Sequence, residues 1–66
     1  MHLYHYCTTR NAASGFEVRS GTYMMDRPIK TNDDYGEFLK KLADDLGMEK
    51  GSFVVSSLTH IYDPDA

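Results

Sequence analysis

The stretch Thr31 to Met48, TNDDYGEFLKKLADDLGM, carries the one strong helical period in this chain, and every other segment must find a place against the apolar face it defines. Apolar residues recur at Tyr35, Phe38, Leu39, Leu42, Ala43 and Leu46, the i, i+3, i+4, i+7 spacing that gathers side chains into one stripe. The other face carries Glu37, Lys40, Lys41, Asp44 and Asp45, with Glu37 four residues ahead of Lys41 in the order that favours an ion pair. Thr31 followed three residues later by Asp34 fits a capping box and starts the helix near Asn32. Gly47 suits a left-handed closing residue, with Met48 folding back on Leu42 or Ala43, and ends the helix near Leu46. Gly36 costs about 1 kcal/mol relative to alanine, and Asp44 and Asp45 sit at the unfavourable end of the dipole. Neither outweighs the period.

The flanking segments read as strands. Residues 2 to 9, HLYHYCTT, are rich in aromatic and β-branched types and too short for a buried helix. Alternation puts His2, Tyr4, Tyr6 and Thr8 on one side and Leu3, His5, Cys7 and Thr9 on the other. Residues 11 to 15, NAASG, form a turn-rich link. Phe16 to Tyr23 follows as a second strand whose Phe16 and Val18 alternate with Glu17 and Arg19 and are expected to face the core. Gly21 interrupts that pattern and marks a bulge, a switch of face or a close approach. DRPIK, with Pro28, is an edge or connection. Phe53 to Tyr62 is the third strand, with apolar residues of both parities that a bulge near Ser56 and Ser57 would reconcile.

The order ββαβ restricts topology. Inserting the third strand beside the first gives a three-stranded antiparallel sheet of order 2-1-3, an α+β fold with one helix packed on one face. Residues 1 to 62 then form a single domain and 63 to 66 a frayed tail. One sheet face and two edges stay open. At 66 residues the core is small, so a partner or a second copy would add stability, against the plainer and slightly favoured reading of a monomer that is merely small.

Composition narrows the function classes. A net charge of −3 and the lack of a basic arm disfavour nucleic acid as a partner. The single cysteine, Cys7, excludes an internal disulfide, and the chain carries no signal-like or membrane-spanning run, which makes the cytoplasm the expected location. Hydrolase, zinc-protease, phosphate-loop and dinucleotide signatures are missing, so no catalytic residue, metal ligand or cofactor is assigned and the expectation is a protein that is not an enzyme. His5 and Cys7 share a strand face and His60 lies on a later strand, but the paired short spacings of a zinc site are lacking, and a lone cysteine is more often a small buried hydrophobe.

Tyr4 and Tyr6 allow three readings: core under the helix, a docking surface on the open face, or a platform for stacking bases of a single strand. The first two are the stronger. The acidic group Asp44, Asp45 and Glu49 is the other candidate contact, facing a basic partner surface, against the plainer reading of a solvated helix end. The candidate partner-binding residues are therefore Tyr4, Tyr6, Asp44, Asp45 and Glu49. The expected function is a protein-interaction module binding a protein partner or forming a homodimer.

Tyr4-His5-Tyr6, Gly15-Phe16-Glu17-Val18, Asp34-Tyr35 and Ser57-Leu58-Thr59 together give a pattern that resembles small uncharacterised proteins of enterobacterial phages and prophages. The resemblance spans most of the chain. It implies a cytoplasmic accessory protein of mobile-element origin that binds a host protein, and it transfers no catalytic or ligand-binding residue.

Overall fold

A computed structural model describes residues 1–66. Strands β1 (His2–Ala12) and β2 (Gly15–Met25) are followed by helix α1 (Asn32–Leu46) and strand β3 (Val54–Tyr62). The sheet has the order β2-β1-β3 and is antiparallel throughout, as the pattern predicts.

The hairpin strands run further than their apolar pattern suggests. The turn narrows to Ala13 and Ser14, and Gly15 takes a φ of +119°, a region open to glycine at little cost. Just inside the turn, Arg10 and Glu17 face each other across the strands with Nη2 and Oε2 2.7 Å apart. That cross-strand ion pair holds the polar end of the ladder together.

Helix α1 is capped at both ends as its sequence dictates. The Asp34 amide donates to Thr31 Oγ1 at 3.1 Å, and the Thr31 amide returns a bond to Asp34 Oδ2 at 3.2 Å. At the other end Gly47 lies at φ +67°, while the Met48 and Gly47 amides donate to Ala43 O and Asp44 O. This pair of bonds satisfies carbonyls that the helix leaves free. Glu37 and Lys41 form the anticipated pair at 3.3 Å.

Phe38, Leu42 and Ala43 point into the sheet and join Tyr4, Tyr6, Met25 and Phe53 in a single buried cluster. Tyr35, Leu39, Leu46 and Met48 pack around its rim. On β1 the helix side therefore carries His2, Tyr4, Tyr6 and Thr8, all buried. Their partners Met25, Tyr23, Gly21 and Arg19 on β2 share that side, as do His60, Leu58 and Val55 on β3.

Two expectations need correction. Phe16 and Val18 do not face the core; they are 76% and 67% exposed on the side away from the helix. The pairing of β1 with β2 is unbroken from His2↔Met25 to Ala12↔Gly15, so no bulge or switch of face occurs at Gly21. With Tyr23 and Met25 fixed under the helix, strict alternation puts Phe16 and Val18 outside. Gly21 instead makes room for Tyr6, whose hydroxyl lies 3.0 Å from where a Cβ would stand. Residues 63–66 form a turn in which the Asp65 amide donates to Asp63 Oδ1 at 2.9 Å. The bulge expected in β3 is present, with Ser57 opposite Cys7 and Val55 opposite Thr8, which leaves Ser56 as the extra residue. A second irregularity at Ile61 lies between the Tyr62↔Leu3 and His60↔Tyr4 pairs.

Candidate functional site

The side of the sheet away from α1 is uncovered. Leu3, His5, Cys7 and Thr9 form its central row, flanked by Met24, Thr22, Ser20 and Val18 on β2 and by Tyr62, Thr59, Ser57 and Val54 on β3. The row itself is half-buried by its neighbours, whereas the two outer rows stand open. Five large apolar side chains on this one face, Phe16, Val18, Met24, Val54 and Tyr62, are each more than half exposed. An apolar set of this kind on one face marks a contact surface more often than scattered surface hydrophobes do.

At the hairpin end the face is concave. Thr9, Arg10, Asn11, Phe16 and Val54, together with Gly51, Ser52 and Phe53 of the connection before β3, line an open hollow of about 530 Å³. The Ser56 bulge shapes it: Ser56 Oγ donates to Cys7 O at 3.3 Å and receives Thr9 Oγ1 at 3.2 Å, which ties the displaced residue back to β1. Phe16 and Val54 are thus brought to opposite sides of one depression although they lie far apart in sequence.

Tyr4 and Tyr6 are not part of this surface. They are 4% and 7% exposed and lie beneath α1. The Tyr4 hydroxyl accepts the Ile29 amide at 2.8 Å, anchoring the connection between β2 and α1, and its ring stacks on His60 at 4.4 Å. Rings buried to this degree do not present a face for a base to stack on, so the nucleic-acid alternative built on these tyrosines loses its residues. Arg10 and Arg27, two of the cations near the sheet, are already paired with Glu17 and with Asp34 and Glu37.

Asp44 and Asp45 are exposed at the end of α1, with Glu49 exposed in the connection beyond it. They lie at the margin of the helix layer, away from the open sheet face, and therefore do not form one surface with its apolar residues. Asp45 and Asp44 do act on a neighbour: burial first, then these carboxylates, push the Tyr23 phenol up to about 12. Tyr23 meets Phe38 edge-on at 5.8 Å, so the acidic helix end is coupled to the rim of the core.

The Cys7, His5 and His60 combination does not assemble. His5 and Cys7 share the open face, whereas His60 pairs with Tyr4 on the helix side. Another group forms in its place. At the end of the sheet opposite the hairpin, His2 Nδ1 lies 3.1 Å from His60 Nε2 and 3.6 Å from Asp63 Oδ1, and Asp65 Oδ2 is 3.7 Å from His2 Nε2. Sequence spacing concealed this cluster, because His2 is 58 residues from His60 and further still from Asp63 and Asp65, and meets them only through the β1–β3 register and the final turn.

No helix is long and apolar enough to cross a membrane. No protein-family model matches the chain, and no curated protein and no solved structure matches it.

Proposed function

We propose that this chain is a small non-enzymatic interaction module whose uncovered sheet face docks against another protein, either a second copy or a host protein. The observation that carries the reading is the placement of Phe16, Val18, Met24, Val54 and Tyr62 on one exposed face. A three-stranded sheet with one helix leaves one of its two faces to water, and covering that face gains about 25 cal/mol per Å² of apolar area. The hollow between Phe16 and Val54 offers a pocket for an anchoring side chain at one end of the face. In this reading the protein acts in the cytoplasm, and the resemblance to phage and prophage proteins suggests an accessory role in which a host protein is bound.

The acidic residues Asp44, Asp45 and Glu49 have a secondary part in the proposal. From the edge of the molecule they would steer a basic partner and change association rate more than affinity. Tyr4 and Tyr6 drop out of the contact set and act as core.

The test compares the wild type with a Phe16→Glu/Val54→Glu variant by sedimentation velocity over a wide concentration range. Two carboxylates on an already exposed face leave the fold intact. Concentration-dependent association in the wild type and none in the variant supports docking of a second copy. If both remain monomeric, the two proteins serve as immobilised baits for a cytoplasmic extract, and a host protein retained by the wild type alone supports the other occupant. A monomer that retains nothing beyond what the variant retains ends the proposal.

A further inference from the structure

We propose that His2, His60 and Asp63 form a binding site for one divalent transition-metal ion of the zinc class, which clasps the C-terminal turn to the start of β1. His2 Nδ1, His60 Nε2 and a carboxylate oxygen of Asp63 all lie within 4.8 Å of one another. Two ligands bound tetrahedrally to zinc at about 2.0–2.1 Å are about 3.3 Å apart. The observed separation of the two imidazole nitrogens, 3.1 Å, is close to that edge. Asp63 Oδ1 is 3.6 Å from His2 Nδ1, and the wider separation of its carboxylate from His60, within 4.8 Å, closes to a tetrahedral edge with a movement of about 1 Å, which its position in a surface turn allows.

The fold prepares each ligand differently. His2 is 3% exposed and held under the sheet margin, so its nitrogen is a fixed point. The His60 ring lies flat on Tyr4, with 12° between the planes, which sets its orientation before any ion arrives. The irregularity at Ile61 lets β3 pass Leu3 with Tyr62 while His60 stays on the helix side, and the turn after Tyr62 returns Asp63 to the same place. Asp65 lies beside the other ring nitrogen of His2, with Oδ2 3.7 Å from Nε2. An outer carboxylate of this kind is a common partner of metal-bound histidine.

Imidazole and carboxylate together suit zinc and its neighbours better than the hard cations calcium and magnesium, which prefer oxygen. Three protein ligands leave a fourth position for water. The structural consequence follows from chain length: a small domain gains stability from a metal that ties its two ends together. This site is at the opposite end of the sheet from the Phe16–Val54 hollow and on its other side, so it stands or falls independently of the docking reading.

The test uses the full chain without a polyhistidine tag, titrated with Zn²⁺ by calorimetry near neutral pH and with Co²⁺ by visible absorption. One equivalent should bind, and Zn²⁺ should raise the thermal midpoint. His60→Ala and Asp63→Asn should each weaken binding by at least about tenfold, as should the outer Asp65→Asn to a smaller degree, while His5→Ala leaves it unchanged. Because His60 and Asp63 are surface residues, these variants keep the core, and circular dichroism checks each one. His60→Gln, which keeps a polar side chain there, covers the case in which alanine disturbs the stack on Tyr4. Failure of Zn²⁺ and Co²⁺ to bind the wild type would show that the two histidines are merely hydrogen-bonded to each other. Undiminished binding by a folded His60→Gln/Asp63→Asn variant would likewise overturn the assignment.

Discussion

The Tyr4 hydroxyl accepts a hydrogen bond from the Ile29 amide at 2.8 Å, joining the middle of the sheet to the segment that leads into the helix. That bond explains why a tyrosine occupies the core: a phenylalanine would fill the same space but strand the amide. Tyr4→Phe is therefore expected to lower stability by about 1 kcal/mol, the order expected when a half-buried donor loses its partner. Urea unfolding measures it. A change below a few tenths would mean that water reaches the Ile29 amide.

Gly21 and Tyr6 make a second linked pair. A Cβ at Gly21 would sit 3.0 Å from the Tyr6 hydroxyl and 3.3 Å from the ring carbon that bears it. Gly21→Ala should cost about 1 kcal/mol or more by overpacking, despite the usual gain from replacing a strand glycine. In a Tyr6→Phe background the nearest atom is gone and the cost should shrink or change sign. A double-mutant cycle in which the two changes are simply additive would show that the ring moves aside freely.

Helix α1 and its caps follow directly from residues in sequence: a 3.6-residue period, Thr31 with Asp34, and Gly47; the strand order is one that a right-handed crossover after a hairpin permits and is the one observed. Face assignment in the strands does not follow in this way. Phe16-Glu17-Val18-Arg19 alternates as if Phe16 and Val18 were inside, but register is set at the other end of β2, where Tyr23 and Met25 lie under the helix. Continuous pairing then forces the apolar pair outward, and an outward apolar pair is the surface proposed for docking. The same two-residue period made β1 ambiguous, since both of its faces are of intermediate polarity. The His2–His60–Asp63 cluster was invisible for a different reason, being a product of long-range register and one bulge rather than of local spacing.

Tyr23 should make stability fall on the alkaline side. Its folded-state value, about 12, lies above the ordinary 10, chiefly through burial and then through the Asp45 carboxylate. The folded state thus holds this proton more tightly than the unfolded chain does. The resulting stabilisation is complete below pH 10 and is lost as pH rises from 10 to 12. Tyr23→Phe should flatten that limb, and Asp45→Asn should bring the phenol down, which absorbance of the phenolate at 295 nm would follow against the Tyr23→Phe baseline. An unchanged alkaline limb in Tyr23→Phe would assign the effect to another group.

The opposite sign holds at the start of the helix. The Lys30 amide, followed by the Thr31 hydroxyl and amide, holds the Asp34 carboxyl below its ordinary 3.8, and Arg27 adds a smaller pull. Glu37 is lowered in the same way by Arg27 first and Lys41 second. A depressed carboxyl binds protons more weakly in the folded state, so its contribution is present above the ordinary carboxylate range and is lost as pH falls below about 4. Thr31→Ala removes the other half of the capping box and should cost about 1 kcal/mol at neutral pH. It also removes one of the groups that depress Asp34, so the variant should lose less on acidification than the wild type does. Stability measured at pH 7 and at pH 3 for both proteins tests this: the gap between them is expected to narrow at pH 3. A gap that stayed constant would mean that the Thr31 hydroxyl stabilises the helix without any help from the Asp34 charge.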